Sequence, residues 1–497
     1  MQQKHHYNSH IGWIVTLIGA AMLLLFFLLF YPYHLRHREQ TMLFLLNIDW
    51  IRATYLSLEH GGLVRLVGDF VQQFFYYIGA GPVILSILVT LLGVVWYRIV
   101  MRIRTLFRLR GGGHEPREEA ADVRDGRAEL WKFGAYAFAI LVVLWEAGRE
   151  CLPQYPLAST LQVLGWSTIL LLALRCKDRP MAAWTLGIGV IAGCWLLDYE
   201  MLPGAKLFGK PNMTVEHLMG LDVEASFGHW TKVEHLTEDD TPNTIDIFYR
   251  NLSLAYQNRL PEAMMTRRQN GEEGLFIPVN ENGNYFFFGA AGEAWWAVGD
   301  MTMAEHATLL AQIFSPRKMG SRYMKRLAEI NLAKGDRVAA DKYLRMLEQS
   351  LVHRKWALEK KNDECPNVLD LPTSDTLRLT GEVRLCLRST LDRQPGNAMA
   401  LQYLLCYDLL VRDLLSFTDD VQRYGCPRDV RLYEEAMLVV MASRHELREA
   451  WQPLVRRQTY EDFEAFNQTL IESKGHLDKI RPAFGKTYWY YLRQKKL

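Results

Sequence analysis

Over the first 197 residues, long apolar runs alternate with short basic stretches; beyond them, hydrophobic positions recur at helical spacing with brief polar turns. A helix needs roughly 20 mostly apolar residues to cross about 30 Å of hydrocarbon. Ile11–Tyr31 and Ile78–Val100 meet this without an internal charge. Phe133–Ala147, extended by Trp131 to a span of 131–147, then Leu157–Leu174 and Met181–Leu197 complete five predicted spans. The first is followed by Tyr31-Pro32-Tyr33, Arg36 and Arg38, with no small-residue cleavage site, and reads as a retained anchor. Residues 32–77 are too polar to span but rich in Phe, Leu, Tyr and Trp. They predict amphipathic helices on the outer face, broken at Gly61-Gly62.

From Thr214 onward a repeat of paired helices is expected. Tyr285–Lys318 has Gly292 at the close-contact place, Trp295 three later, the turn Gly299-Asp300, then Ala304, Ala311 and a terminating Pro316. Ser321–Arg354 repeats this with Ala328, Gly335-Asp336 and Ala340. Asn258 and Gly228 are the corresponding upstream turns, so the four turns stand 30, 41 and 36 residues apart. A helix pair cannot bury its apolar face alone and must stack on a neighbour. Past Lys361 the regularity fades into a loop at Glu364–Thr376. Helices are then expected over Leu377–Asp392, Ala398–Tyr424, Val430–Arg444 and Tyr460–Glu472. The predicted fold is all-α. A five-helix transmembrane bundle occupies 1–200, a tetratricopeptide-like (TPR-like) α-solenoid 201–361, and degenerate repeats with a C-terminal cap 362–497.

Charge sharpens this division. The chain has 57 basic and 55 acidic side chains; 18 and 13 of them lie in residues 1–197, leaving 39 and 42 beyond. A strongly basic nucleic-acid binder and a disordered chain are excluded on composition. The stretch Arg98–Lys132 carries nine basic residues and Arg175–Arg179 three, against four in Pro32–Tyr77 and one in Arg149–Pro156. The positive-inside rule then places the 98–132 loop and the N-terminus in the cytoplasm and everything after Leu197 outside, in the periplasm of a bacterium. Gly189 and Gly193 have small-xxx-small spacing, suited to packing within the bundle or to a dimer seam. Glu146, Arg149, Glu150, Asp198 and Glu200 cluster at span ends, where side chains are expected to snorkel to water.

Catalytic motifs are sparse. Gly485-Lys486-Thr487 ends like a phosphate-binding loop, but Ile480 stands where its first glycine is required. No Gly-x-Ser-x-Gly elbow, His-Glu-x-x-His helix or Cys-x-x-Cys pair occurs, so neither a metal nor a cofactor is expected. Cys365, Cys386, Cys406 and Cys426 allow three disulfide connectivities in an exported domain. Cys386 and Cys406 fall inside predicted helices and read as buried free thiols. Asp375-Thr376-Leu377 matches a short O-glycosylation acceptor at Thr376.

Two surfaces remain as sites. On the concave face of stacked repeats, Glu293, Trp296, Arg322, Lys325 and Glu329, flanked by Phe248 and Leu252, form an expected peptide-recognition floor. The rival reading has Trp296 packed on its neighbour and the charges in solvated pairs. The second surface is the outer acidic loop with Glu39, Asp49, Glu59 and Asp69, the site under the alternative reading of an envelope enzyme acting on a lipid-linked glycan.

Phe30-Tyr-Pro-Tyr-His34, Gly61-Gly62-Leu63, Asp69-Phe70 and Gln73-Phe74-Phe75 carry a resemblance. So do Asn251-Leu-Ser-Leu-Ala255, Tyr323-Met-Lys-Arg-Leu-Ala-Glu-Ile-Asn-Leu332, Ala340-Asp-Lys-Tyr-Leu344, Arg354-Lys-Trp-Ala357, Asn397-Ala-Met-Ala-Leu-Gln-Tyr403 and Tyr433-Glu-Glu-Ala436. The chain resembles an uncharacterised family of Bacteroidota multi-spanning inner-membrane proteins with a TPR-like C-terminal half. The resemblance implies an inner-membrane protein with a periplasmic helical-repeat domain, and no activity. The expected function is a membrane-anchored scaffold binding a protein or peptide partner, in contact with membrane lipid, without nucleic acid, its oligomeric state open.

Overall fold

A computed structural model of the chain describes residues 2–30, 32–56, 62–110, 119–152, 156–176, 212–238, 243–280, 283–316, 318–362 and 381–494. Among these residues all regular secondary structure is helical, with no strand. It divides into two units, residues 1–216 with 345–360, and residues 217–344 with 361–497. The boundary expected near 200 thus falls at 216. The segments expected as separate domains, 201–361 and 362–497, share one hydrophobic core running from Leu221 to Tyr491.

The first unit contains α1 (Gln2–Phe30), α2 (Pro32–Gln40), α3 (Ile48–Tyr55), α4 (Leu63–Gln72), α5 (Ala80–Arg110), α6 (Glu119–Glu150) and α7 (Leu157–Cys176). Four stretches are long and apolar enough to cross a membrane: Gly12–Phe30, Ala80–Leu106, Glu129–Glu150 and Leu157–Arg175. The third, the shortest on sequence grounds, has 22 such residues, a rise of about 33 Å. The fifth expected span, with Gly189 and Gly193, lies outside the described residues. α5 packs against α1, α6 and α7.

The second unit is built from α8 (Met213–Ser226), α9 (Trp230–Leu236), α10 (Thr244–Tyr256), α11 (Leu260–Ala263), α12 (Tyr285–Val298), α13 (Met301–Phe314), α14 (Ser321–Ala333) and α15 (Arg337–Glu348). α16 (Arg354–Asn362) begins in residues of the first unit, and α17 (Val383–Arg393), α18 (Ala398–Leu410), α19 (Leu414–Tyr424) and α20 (Arg431–Ser443) follow. α21 (Arg448–Trp451), α22 (Arg457–Glu472), α23 (Leu477–Phe484) and α24 (Tyr488–Arg493) end the fold. The four expected turns all adopt left-handed backbone, at Gly228, Asn258, Gly299 and Gly335 (φ 71°, 55°, 85° and 77°). At Gly299 two bonds close the helix end: Asp300 N–H donates to the Trp295 carbonyl and Gly299 N–H to that of Trp296. Equivalent pairs of bonds close the turns at Gly228 and Asn258. Asp300 and Asp336 then start the next helices, their carboxylates accepting from Met303 N–H and Ala339 N–H. Gly292 permits the tight α12–α13 hairpin: a Cβ there would sit 2.8 Å from the Thr308 hydroxyl.

Two expectations fail. The helix expected over Ala398–Tyr424 breaks at Arg412, which is left-handed (φ 64°). Asp413 caps the new helix by accepting from Ser416 N–H at 3.0 Å. The second repeat also lacks a full second helix. α11 stops after Ala263, and residues 267–280 follow with only a short 3-10 helix at Gly271–Gly274, tied down by Asn251, which donates to Gln269 and to the Gly274 carbonyl, both at 2.9 Å. The Gly485-Lys486-Thr487 stretch serves as a helix start, with Thr487 capping α24. Cys386 and Cys406 are buried, and among the described residues Cys406 and Cys426 form no disulfide; Cys365 and Thr376 lie outside the described residues.

Candidate functional site

In the first unit, the polar residues of α2 are buried: His34, His37, Arg38, Glu39 and Gln40 are each at most 6% exposed. In α2, the first of the helices expected on the outer face, polar side chains are thus turned inward. Glu146, Arg149 and Glu150 are buried too, so they do not snorkel to water. The reason is mutual pairing. The Arg38 guanidinium lies 2.7 Å from the Glu150 carboxylate and donates to the carbonyls of Glu150 (2.9 Å) and Leu152 (3.2 Å), covering the otherwise unpaired C-terminal end of α6. Thr160, on α7, contacts both Glu146 (2.7 Å) and Glu150. Arg149 lies 3.7 Å from Glu146 and 4.5 Å over the Trp145 ring. Two guanidiniums thus face two carboxylates, and Gln72 closes the C-terminal end of α2 by donating to the Arg38 carbonyl at 3.1 Å. Burial, then the nearby Arg38 and His37, hold the His34 imidazole well below its usual range and therefore neutral.

The other end of α2 is closed by Glu216, whose carboxylate accepts from Tyr33 N–H (2.7 Å) and His34 N–H (3.0 Å). Burial pushes this carboxyl up to about 7 despite the two backbone bonds. A raised folded-state value means the folded chain holds the proton more tightly. The associated stability is complete below about pH 4.5 and lost as pH rises through 7, up to about 3 kcal/mol. Unfolding midpoints of the detergent-solubilised chain are expected to fall between pH 5 and 8, and Glu216→Gln to flatten that slope. Parallel pH profiles for both proteins would refute the assignment.

In the second unit a charge ladder crosses three helices. Arg322 of α14 pairs with Asp222 of α8, and lies 3.4 Å from Glu293 of α12. Arg326 joins Glu293 and Glu329, each at 2.6 Å, and covers the Trp296 ring at 4.7 Å. Tyr249 OH donates to Asp222 at 2.6 Å. Burial opposes the charge on Arg322, but Asp222 and Glu293 outweigh it and raise its pKa. The ladder runs from the interior, where Asp222 is 1% exposed, outward to half-buried Arg326 and Glu329.

A model of a family of unknown function, DUF6057, matches residues 6–202 and 183–495, nearly the whole chain. The chain belongs to DUF6057. No curated protein and no solved structure matches it.

In this DUF6057 member the expected recognition floor separates into three parts. Phe248 and Leu252 are core residues with no exposed surface. Glu293 and Arg322 are the buried rungs of the ladder, and Trp296, Lys325 and Glu329 are half-buried at its outer end. Sequence spacing alone missed Asp222 and Arg326, although Arg326 follows Arg322 by one helical turn. In the acidic loop of the DUF6057 chain the described carboxylates differ in their surroundings. Glu39 pairs with His353 at 2.7 Å, and Asp69 accepts from Tyr55 OH at 2.8 Å. Asp49 is exposed in the first turn of α3, and Glu59 lies outside the described residues. Among the described residues, no group of three or more His, Cys, Asp or Glu side chains is placed to hold a metal.

Proposed function

We propose that the chain is a membrane-anchored scaffold: five spans in a bacterial inner membrane, the N-terminus cytoplasmic, hold a TPR-like periplasmic domain that binds a protein or peptide partner. The observation that carries this reading is the outer end of the charge ladder. There Trp296 of α12 and Lys325, Arg326 and Glu329 of α14 form a half-buried aromatic-and-charged strip on the first helices of two successive pairs, each pair closed by a left-handed glycine turn. Such a strip offers ring area together with charges of both signs, a combination suited to an extended peptide. The basic loops at 98–132 and 175–179 support the orientation.

The test is co-purification from cross-linked, solubilised membranes. Lys325→Glu is expected to reduce recovery of the partner by more than about ten-fold with an unchanged unfolding midpoint, while Glu329 stays in place to pair with Arg326. Arg322 is left intact, because its replacement would disturb the interior. Full recovery by the folded variant would reject the strip as the binding surface.

A further inference from the structure

Within the first unit, α1, α5 and α6 enclose a groove of about 330 Å³. Its floor is shallow-sided because Gly12, Gly19 and Gly93 line it. Gly93 also lets α5 and α6 touch, since a Cβ there would sit 2.6 Å from Val143. Along α1 the lining runs from Gly12 to Leu23, a rise of about 16 Å. One leaflet of a bilayer with a 30 Å hydrocarbon core is about 15 Å deep. At the Gly12 end stand Tyr97 and Tyr136, stacked with centroids 4.4 Å apart, and beside them the exposed Arg98. Arg98 has no hydrogen-bond or ion-pair partner among the described residues. Arg102, one turn on, is engaged by the Leu174 carbonyl at 3.2 Å.

We infer that this groove is a binding site for one anionic phospholipid, its acyl chain lying against the three glycines and its phosphate on Arg98. A groove in the apolar belt of a membrane protein is filled from the bilayer, and its depth fits a tail of one leaflet. The aromatic pair sits where ring side chains collect at the headgroup level. The charge complement is specific: a cation without a partner among the described residues stands at the end where a phosphate would sit.

The full chain would be reconstituted in vesicles of equal parts phosphatidylglycerol and phosphatidylcholine and re-extracted in mild detergent. Retained lipid would then be counted by native mass spectrometry. The wild-type chain is expected to retain one phospholipid, enriched in phosphatidylglycerol. Arg98→Gln is expected to keep the lipid but lose the enrichment, by about five-fold. Gly19→Trp is expected to retain neither lipid. A Cβ at Gly19 would meet nothing within 4 Å, so the added ring enters the groove and not a helix contact; Gly19→Leu is the smaller filler if the Trp variant fails to fold. Equal retention by folded Gly19→Trp or Gly19→Leu would overturn the inference. So would a lipid-free wild-type dimer that either variant dissociates, since a second copy would then fill the groove.

Discussion

Arg322→Met is expected to destabilise the second unit by about 3–5 kcal/mol. The substitution leaves Asp222, 1% exposed, without its paired cation, and Glu293, 4% exposed, with Arg326 alone. Asp222 would keep the Tyr249 hydroxyl. Removing one partner of a buried pair costs more than the pair contributes net, because an uncompensated charge remains in the interior. The unfolding midpoint should fall by about 10 °C, at roughly 2–4 °C per kcal/mol for a domain of this size. Adding Asp222→Asn should recover part of the loss. A single substitution that leaves the midpoint unmoved would show that the ladder is not the interior charge pairing described.

Arg38→Leu is expected to be of comparable size in the first unit. It removes the 2.7 Å pair with Glu150 and uncovers the carbonyls of Glu150 and Leu152. Denaturation in detergent should show a loss of about 3–5 kcal/mol, and Arg38→Leu with Glu150→Leu a smaller one, since no lone charge is left. If the double variant instead folds with wild-type stability while cells lose the protein's function, the buried centre acts on something other than the fold. An envelope enzyme would then regain ground over a scaffold.

The legible parts of the fold were those whose signal is local. Apolar runs announce spans whatever surrounds them, and α6 follows from its own 22 residues. Glycine and asparagine announced the turns at 228, 258, 299 and 335, because these residues enter left-handed backbone at low cost. The turn at Arg412 had no such residue, and its only local trace is Asp413 three residues before Ser416. The candidate sites were harder to read for a different reason. Whether a charge at a span end meets water or protein depends on partners far along the chain, and Arg38 is 112 residues from Glu150. The same holds for Arg322 and Asp222, 100 residues apart, whose pairing turned an expected binding surface into interior.

The pairing of Glu39 with His353 carries a consequence for the birth of the protein. Both residues belong to the first unit, yet 314 positions separate them. At 5–20 residues per second, ribosomal synthesis leaves Glu39 without that partner for roughly 15–60 s. During that interval the early helices must persist with a carboxylate that the finished fold buries. Completion of the membrane-associated unit therefore waits on a segment translated after most of the repeat helices, and a truncation ending before residue 345 would leave that unit permanently unfinished.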